Sequence, residues 1–186
     1  MNLMRNRGGI ALHARIPMDT RVQWDRAMEL AARRRTLRLI SNGMYILTSR
    51  WGDNFGAATV TWLSQASFKP PLLMAAIRTN SNVFRCLSES RLAAVHILGC
   101  DQKEVAQKFF FPTTAGEGTI NGEPFIDGST GMPVLPNTPA HIECSVIRVL
   151  NDLGDHAIVV LEVLEAECRM RVRPLTIADS PWEYGG

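Results

Sequence analysis

Two adjacent prolines, Pro70 and Pro71, constrain this chain more than any other pair of residues. With Lys69 they stop any helix and remove two backbone donors. On their N-terminal side, Thr59 to Ser67 mixes β-branched and aromatic residues with hydroxyls and one amide. That composition suits a strand running into a polar loop. On the other side, Leu72 to Ile77 is a continuous apolar run of strand length, which reads as a buried strand. Arg78-Thr79-Asn80-Ser81-Asn82 follows, one cation beside four hydrogen-bonding side chains. A short buried strand thus joins two polar loops, and such loops can meet at one end of a sheet. Hydroxyls, amides and an arginine are what a phosphate needs where no glycine-rich phosphate loop is present. The same residue types also mark ordinary turns and strand edges, so composition alone leaves both readings open.

Size and charge exclude several classes. A chain of 186 residues that is 46% hydrophobic is suited to one domain with a sizeable core. A net charge of +2 makes no field of the kind that implies a nucleic-acid partner. Cys86, Cys100, Cys144 and Cys168 are widely spaced and form no CxxC pair, so the expectation is reduced thiols and no metal. No apolar run approaches the roughly 20 residues of a membrane span. The first residues are broken by His13 and Arg15, which does not support a signal peptide. The expected setting is a cytoplasmic protein with neither membrane nor nucleic acid as partner.

Along the chain, residues 1–18 show no clear period and read as an arm outside the folded domain, which is expected over residues 19–186. Asp19 or Thr20 can cap a helix running to about Arg34, with Arg33-Arg34-Arg35 at its end. Gly43 to Ser49 reads as a strand, Trp51 to Asn54 as a turn, and Gly56 to Gln65 as the returning strand, with Trp51 and Phe55 as packing residues. Asn80 or Ser81 can cap a helix over Asn82 to Ser90, which places free N–H groups beside the proposed phosphate site. Arg91 to Leu98 is the next strand, and Asp101 is the expected cap of a second helix with Glu104 at the capping-box position. Pro112 to Pro139 has little periodicity; it is either a functional cover or a surface excursion. His141 to Leu150 and His156 to Ala166 are strands around a turn. Strands outnumber helices and most are joined as hairpins, the pattern of a mainly β antiparallel barrel with peripheral helices.

Several spaced motifs also carry a resemblance. Thr59-Val60-Thr61-Trp62-Leu63-Ser64-Gln65-Ala66-Ser67-Phe68-Lys69-Pro70-Pro71 is similar to the signature of the flavin reductase-like, FMN-binding split-barrel family. Ala93 to Leu98, Asp101-Gln102, Phe109-Phe110 and Gly154-Asp155-His156 fall in the order of that family's later motifs, the last on its GDH motif. The resemblance runs from about Leu37 to the C-terminus. It implies a Greek-key split β-barrel, a homodimer, and NAD(P)H-dependent flavin reduction. FMN is the implied cofactor, with FAD possible and the nicotinamide a transient substrate. The implied electron acceptor is a partner monooxygenase or another acceptor. The other reading is an FMN-binding electron carrier similar to a flavoredoxin, without nicotinamide activity.

A flavin needs an anion site, donors along its pyrimidine edge and a surface against its ring. By resemblance, the residues that line it are Thr59, Val60, Thr61, Trp62, Ser64, Gln65, Ala66, Ser67, Arg78, Asn80, Ser81 and Asn82. Trp62 either stacks on the ring or belongs to the core. His156, in the GDH match, is the catalytic candidate; it either orients the nicotinamide or is tied to Asp155 or a turn carbonyl. No GxGxxG fingerprint is present, so no Rossmann nicotinamide site is indicated. The chain departs from the family at His96, where Asn is common, and at Leu161, where Gly is usual; both bear on the ring environment and the donor side.

Overall fold

β2 (Asn54–Val60) and β3 (Leu63–Phe68) are separated in the chain only by Thr61 and Trp62. In the sheet they stand at opposite ends of the strand order, β2-β1-β5-β11-β12-β4-β3. The other members are β1 (Tyr45–Trp51), β4 (Pro71–Arg78), β5 (Leu92–Ile97), β11 (Ala140–Leu150) and β12 (His156–Cys168). A sheet whose two edges are joined by two residues has to curl on itself, and the result is a barrel. The edges share no ladder; a single bond from Ala76 N–H to Trp62 O, at 2.9 Å, ties the link to β4. The barrel is therefore split along β2 and β3. Every pairing in the sheet is antiparallel.

The computed structural model describes residues 30–184. The arm read over residues 1–18, and the helix expected from Asp19 as far as residue 29, lie outside the described residues. The part described, α1 (Leu30–Leu37), has Arg34 and Arg35 in its last turn and no buried residue. Ile40–Tyr184 is a separate compact unit and contains the barrel. Among the described residues no helix is long and apolar enough to cross a membrane, and no cluster of three ligands could hold a metal.

Period-two alternation fills the barrel. Leu47, Leu73, Ala75, Ile77, Val95, Ala157, Val159 and Leu161 point into one core, joined by Val83, Phe84 and Leu87 of α2 (Asn82–Ser90). The run from Leu72 to Ile77 reads in sequence as buried throughout. Only its odd members are: Met74 is 44% exposed on the outer face. Gly56 lets α2 lie directly on β2, because a Cβ there would stand 2.5 Å from Val83 Cα and 2.7 Å from Asn82 O.

The outer face of β1, β2 and β5 is covered by a second cluster that includes Met44, Ile46, Phe109, Ile120, Leu135 and Leu175. Much of the cover comes from the excursion between Pro112 and Pro139. It contains β6 (Ala115–Gly116), β7 (Thr119–Ile120), β8 (Glu123–Pro124), β9 (Ile126–Asp127) and β10 (Pro133–Val134), so it is a packed layer as well as a connection. The helix α3 (Lys103–Lys108) starts from Gln102, not from Asp101, and has no side-chain cap. Gln102 Oε1 instead accepts from Gly99 N–H at 3.1 Å. Trp51, expected to pack, is 52% exposed at the hairpin turn, whereas Phe55 does pack, 5.4 Å from Phe125 between ring centres.

Two buried polar side chains pin this cover to the sheet. His96 is fully buried on β5; its Nδ1 lies 3.1 Å from Ile46 O, and its Nε2 accepts from Leu135 N–H at 3.0 Å. Those partners require the neutral ring with the proton on Nδ1. Burial pushes its pKa down to about 4. Glu143, 1% exposed, accepts from the N–H groups of Ser129 and Thr130 at 2.8 and 2.7 Å and from the Thr130 hydroxyl. Burial raises its pKa, but these donors together outweigh burial and hold it below the usual value.

A folded-state pKa of about 4 for His96, against 6.5 for the free side chain, fixes a sign. Between those values the unfolded chain takes up a proton that the native ring refuses, so stability falls as pH falls. The full effect is about 3 kcal/mol, reached near pH 4. Urea melts of the unmodified protein from pH 7 to pH 4 should show this decline. His96→Gln, which keeps a neutral donor and acceptor, should flatten it; an undiminished slope in the variant would assign the decline to other groups.

Candidate active site

Three chain segments end at the same place. β2 stops at Val60, β4 stops at Arg78, and β12 begins at His156, the register partner of Arg78. Thr79 fastens the Arg78 loop to the next turn: its N–H and hydroxyl both bond Asp155 O, at 3.2 and 3.3 Å. A cavity of about 560 Å³ opens there, at the split of the barrel.

One end of the cavity is built to meet an anion. Ser81 is the N-cap of α2, accepting from Phe84 N–H at 3.2 Å and donating to Arg78 O at 2.7 Å. Its hydroxyl is therefore fully engaged in fixing the helix start. Asn82 Oδ1 accepts from Arg85 Nη2 at 2.9 Å, leaving the amide nitrogen without a partner among the described residues. Arg78 lines the cavity, and its guanidinium makes no hydrogen bond or ion pair among the described residues. A guanidinium with no hydrogen-bonded or ion-paired carboxylate, felt only through space by Asp155, favours a phosphate beside a capped helix start.

The other walls are aromatic. The Trp62 ring lies 4.8 Å from His156 and 5.6 Å from Tyr184, and Trp182 meets Phe110 edge-on at 4.9 Å. His156 Nδ1 is 2.9 Å from Asp155 Oδ1. That bond is the main reason the Asp155 carboxyl sits below its usual range. Thr61, 7% exposed at the cavity wall, has a buried hydroxyl with no hydrogen-bond partner. Such a group is costly to leave unpaired, and a bound polar molecule would pair it.

Residues 37–182 match the flavin reductase like domain family. The chain belongs to that family. It is 30% identical over 141 residues to the FMN reductase (NADH) SmoA of Agrobacterium fabrum, which covers 73% of this chain and 75% of that protein. It is 31% identical over 127 residues to diflavin flavoprotein A 1 of Synechocystis, 67% of this chain but only 22% of that much longer protein. Among solved structures, BorF, the flavin reductase component of a bacterial two-component tryptophan halogenase, superposes with a TM-score of 0.64 at 26% identity, covering 74% of this chain and 86% of that one.

Within this flavin reductase-like barrel, Thr59, Val60, Thr61, Trp62, Arg78, Asn80, Ser81, Asn82 and His156 all line the cavity. The Thr59 side chain is turned to another task, donating to Ala106 O at 2.7 Å. Ser64, Gln65, Ala66 and Ser67 lie along β3 and do not line it. Ser64 and Gln65 point their polar atoms at carbonyls of their own strand, at 3.2 and 3.5 Å. His96 and Leu161 do not line the cavity: His96 lies under the cover and Leu161 inside the barrel. Sequence reasoning missed Phe111, Pro112, Thr113, Ile177 and the wall made by Trp182 to Tyr184. The aromatic pair in the tail was the available signal, since two large rings beside terminal glycines have to pack on something.

Thr61→Val keeps the side-chain shape and removes the unpaired hydroxyl. In the absence of ligand it should raise stability by about 1 kcal/mol. Thermal unfolding of ligand-free protein measures this, and a lowered Tm would mean that the hydroxyl is satisfied in solution.

Proposed function

We propose that the chain is an NAD(P)H-dependent flavin reductase with FMN in the cavity at the split of the barrel. The observation that carries the proposal is the make-up of that cavity: Arg78, with no hydrogen-bonded or ion-paired carboxylate among the described residues, and a capped helix start, together with the unpaired Thr61 hydroxyl and aromatic rings. These residues fit FMN. Arg78, Asn80, Asn82 and the first N–H groups of α2 would hold the phosphate, with Ser81 keeping the helix start in place. Thr61 would give the ring system a hydrogen bond, and Trp62 an apolar face. Bound FMN supplies an oxidised ring system that accepts a hydride from the nicotinamide. His156 orients the nicotinamide: Asp155 accepts from its Nδ1, which leaves Nε2 available to a carboxamide. The names of the Agrobacterium relative and of BorF support reductase chemistry, and BorF, the reductase component of a two-component halogenase, supports delivery of reduced flavin to a partner enzyme, for which a monooxygenase is our reading. The cytoplasm, where free cysteines such as Cys86 and Cys144 stay reduced, is the compartment that suits the reading.

The reading also includes a homodimer. Phe68, Met74, Ile147 and Leu164 are 44–85% exposed on or beside β3, β4, β11 and β12. Large exposed apolar side chains on neighbouring strands favour a second copy as their cover. Light scattering should give twice the chain mass at micromolar concentration, and Met74→Glu should lower it. A monomer in the unmodified protein, with flavin bound, would rule out the dimer.

Two substitutions separate binding from chemistry. Arg78→Gln should weaken FMN about 10- to 100-fold, the range for a lost charged hydrogen bond of roughly 1.5–3 kcal/mol, and should leave riboflavin, which lacks the phosphate, within about twofold. His156→Ala should leave FMN affinity intact and slow anaerobic bleaching of the flavin by NADH by about 10- to 100-fold. Equal weakening of FMN and riboflavin would remove the phosphate assignment. Failure of the unmodified protein to be reduced by either NADH or NADPH, with dithionite still effective, would favour an electron carrier.

A further inference from the structure

Among the described residues, the His156 side chain makes one hydrogen bond, from Nδ1 to Asp155 Oδ1 at 2.9 Å. A ring held at one nitrogen can still pivot about that bond, and the pivot swings Nε2. The Asp155 side chain is 90% exposed, so it anchors the ring without enclosing it. The His156 side chain is nonetheless only 11% exposed, and the Trp62 ring lies against it, 4.8 Å away between centres and tilted by 53°. Trp62 sits in the two-residue link between β2 and β3, where its carbonyl is tied by Ala76 N–H but no strand packs around its side chain. Its second ring neighbour is Tyr184, at 5.6 Å and 57°. Tyr184 comes from the other end of the described chain, and the residues before it are firmly placed. The Ser180 hydroxyl donates to Ile177 O at 2.8 Å and accepts from Trp182 N–H at 3.3 Å, and Trp182 meets Phe110 edge-on at 4.9 Å. The contacts thus run in series, Tyr184 to Trp62 to His156.

We infer that Tyr184 is a positioning residue for hydride transfer: it backs Trp62, and Trp62 in turn fixes the direction in which His156 presents Nε2. The inference rests on reading His156 as the residue that orients the nicotinamide. Asp155 supplies one point of restraint and the Trp62 face supplies the second, which together stop the pivot. A hydrogen bond weakens steeply as its angle departs from linear, so a carboxamide is held in one pose only if Nε2 is aimed. Hydride then passes from the nicotinamide, which is oxidised, to the flavin, which is reduced, and its rate depends on that pose. Tyr184 acts on this step through Trp62.

The test measures anaerobic bleaching of the flavin in the full chain, with FMN and the nicotinamide both saturating so that affinities do not enter. Trp62 is left intact, because it also faces the flavin. Tyr184→Ala should slow the bleaching about three- to tenfold, the range for a lost aromatic pair, and Tyr184→Phe, which keeps the ring, should restore the rate to within about twofold. In a His156→Ala background, where there is no imidazole left to aim, Tyr184→Ala should cost no further rate. Tyr184→Ala reacting as fast as the unmodified protein overturns the inference. So does an equal loss in both backgrounds, because Tyr184 then acts on something other than His156, and so does a loss in Tyr184→Phe as large as that in Tyr184→Ala. If His156→Ala alone leaves the rate unchanged, or neither NADH nor NADPH reduces the unmodified protein, the role given to His156 falls and this inference falls with it.

Discussion

The two-residue link between β2 and β3 is the constraint on which the rest depends. Thr61 and Trp62 span the two edges of the seven-stranded sheet, so the sheet closes without a ladder between those edges. Strand edges left unpaired are exposed to water or to other chains unless something covers them. Here the gap is where the cavity forms. The link also explains why residues so close in sequence have such different roles: Val60 is in the core, Thr61 carries an unpaired hydroxyl, and Trp62 carries the aromatic wall.

The polar side chains divide into two groups. Under the cover, His96 and Glu143 are saturated with partners, and their pKa values are displaced in the directions that keep them neutral and charged, respectively. At the split, the Arg78 guanidinium, the Asn82 amide nitrogen and the buried Thr61 hydroxyl have no hydrogen-bond partner among the described residues. One other buried atom is unpaired, His141 Nδ1, away from the cavity lining; the open groups at the split are the ones placed to meet a polar guest. The α2 helix connects the two regions: its apolar face sits in the barrel core while its first turn, placed by Gly56 and Ser81, borders the cavity.

Much of this was legible in the sequence where local chemistry dominates. The double proline and the apolar run after it place β4, and Ser81 before an amphipathic segment places the start of α2. The GDH stretch puts His156 at the opening of β12. What was not legible depends on partners distant in the chain. Asp101 looks like a cap, but Gln102 takes the position through a bond to Gly99. Ser64 to Ser67 have the composition of a polar loop, yet pairing with β4 draws them into a strand beside the cavity wall and not in it. The alternation on β4, with Met74 outward, is hidden because both faces are apolar. The excursion before Pro139 lacks periodicity because its strands are two residues long, too short to write a pattern.

The aromatic wall has a spectroscopic consequence. Three tryptophans are among the described residues. Trp62 and Trp182 line the cavity, while Trp51 sits exposed at the hairpin turn. The first two indoles stand against the space that a yellow chromophore would fill, close enough for resonance energy transfer. The protein therefore carries its own optical gauge of occupancy and needs no attached dye.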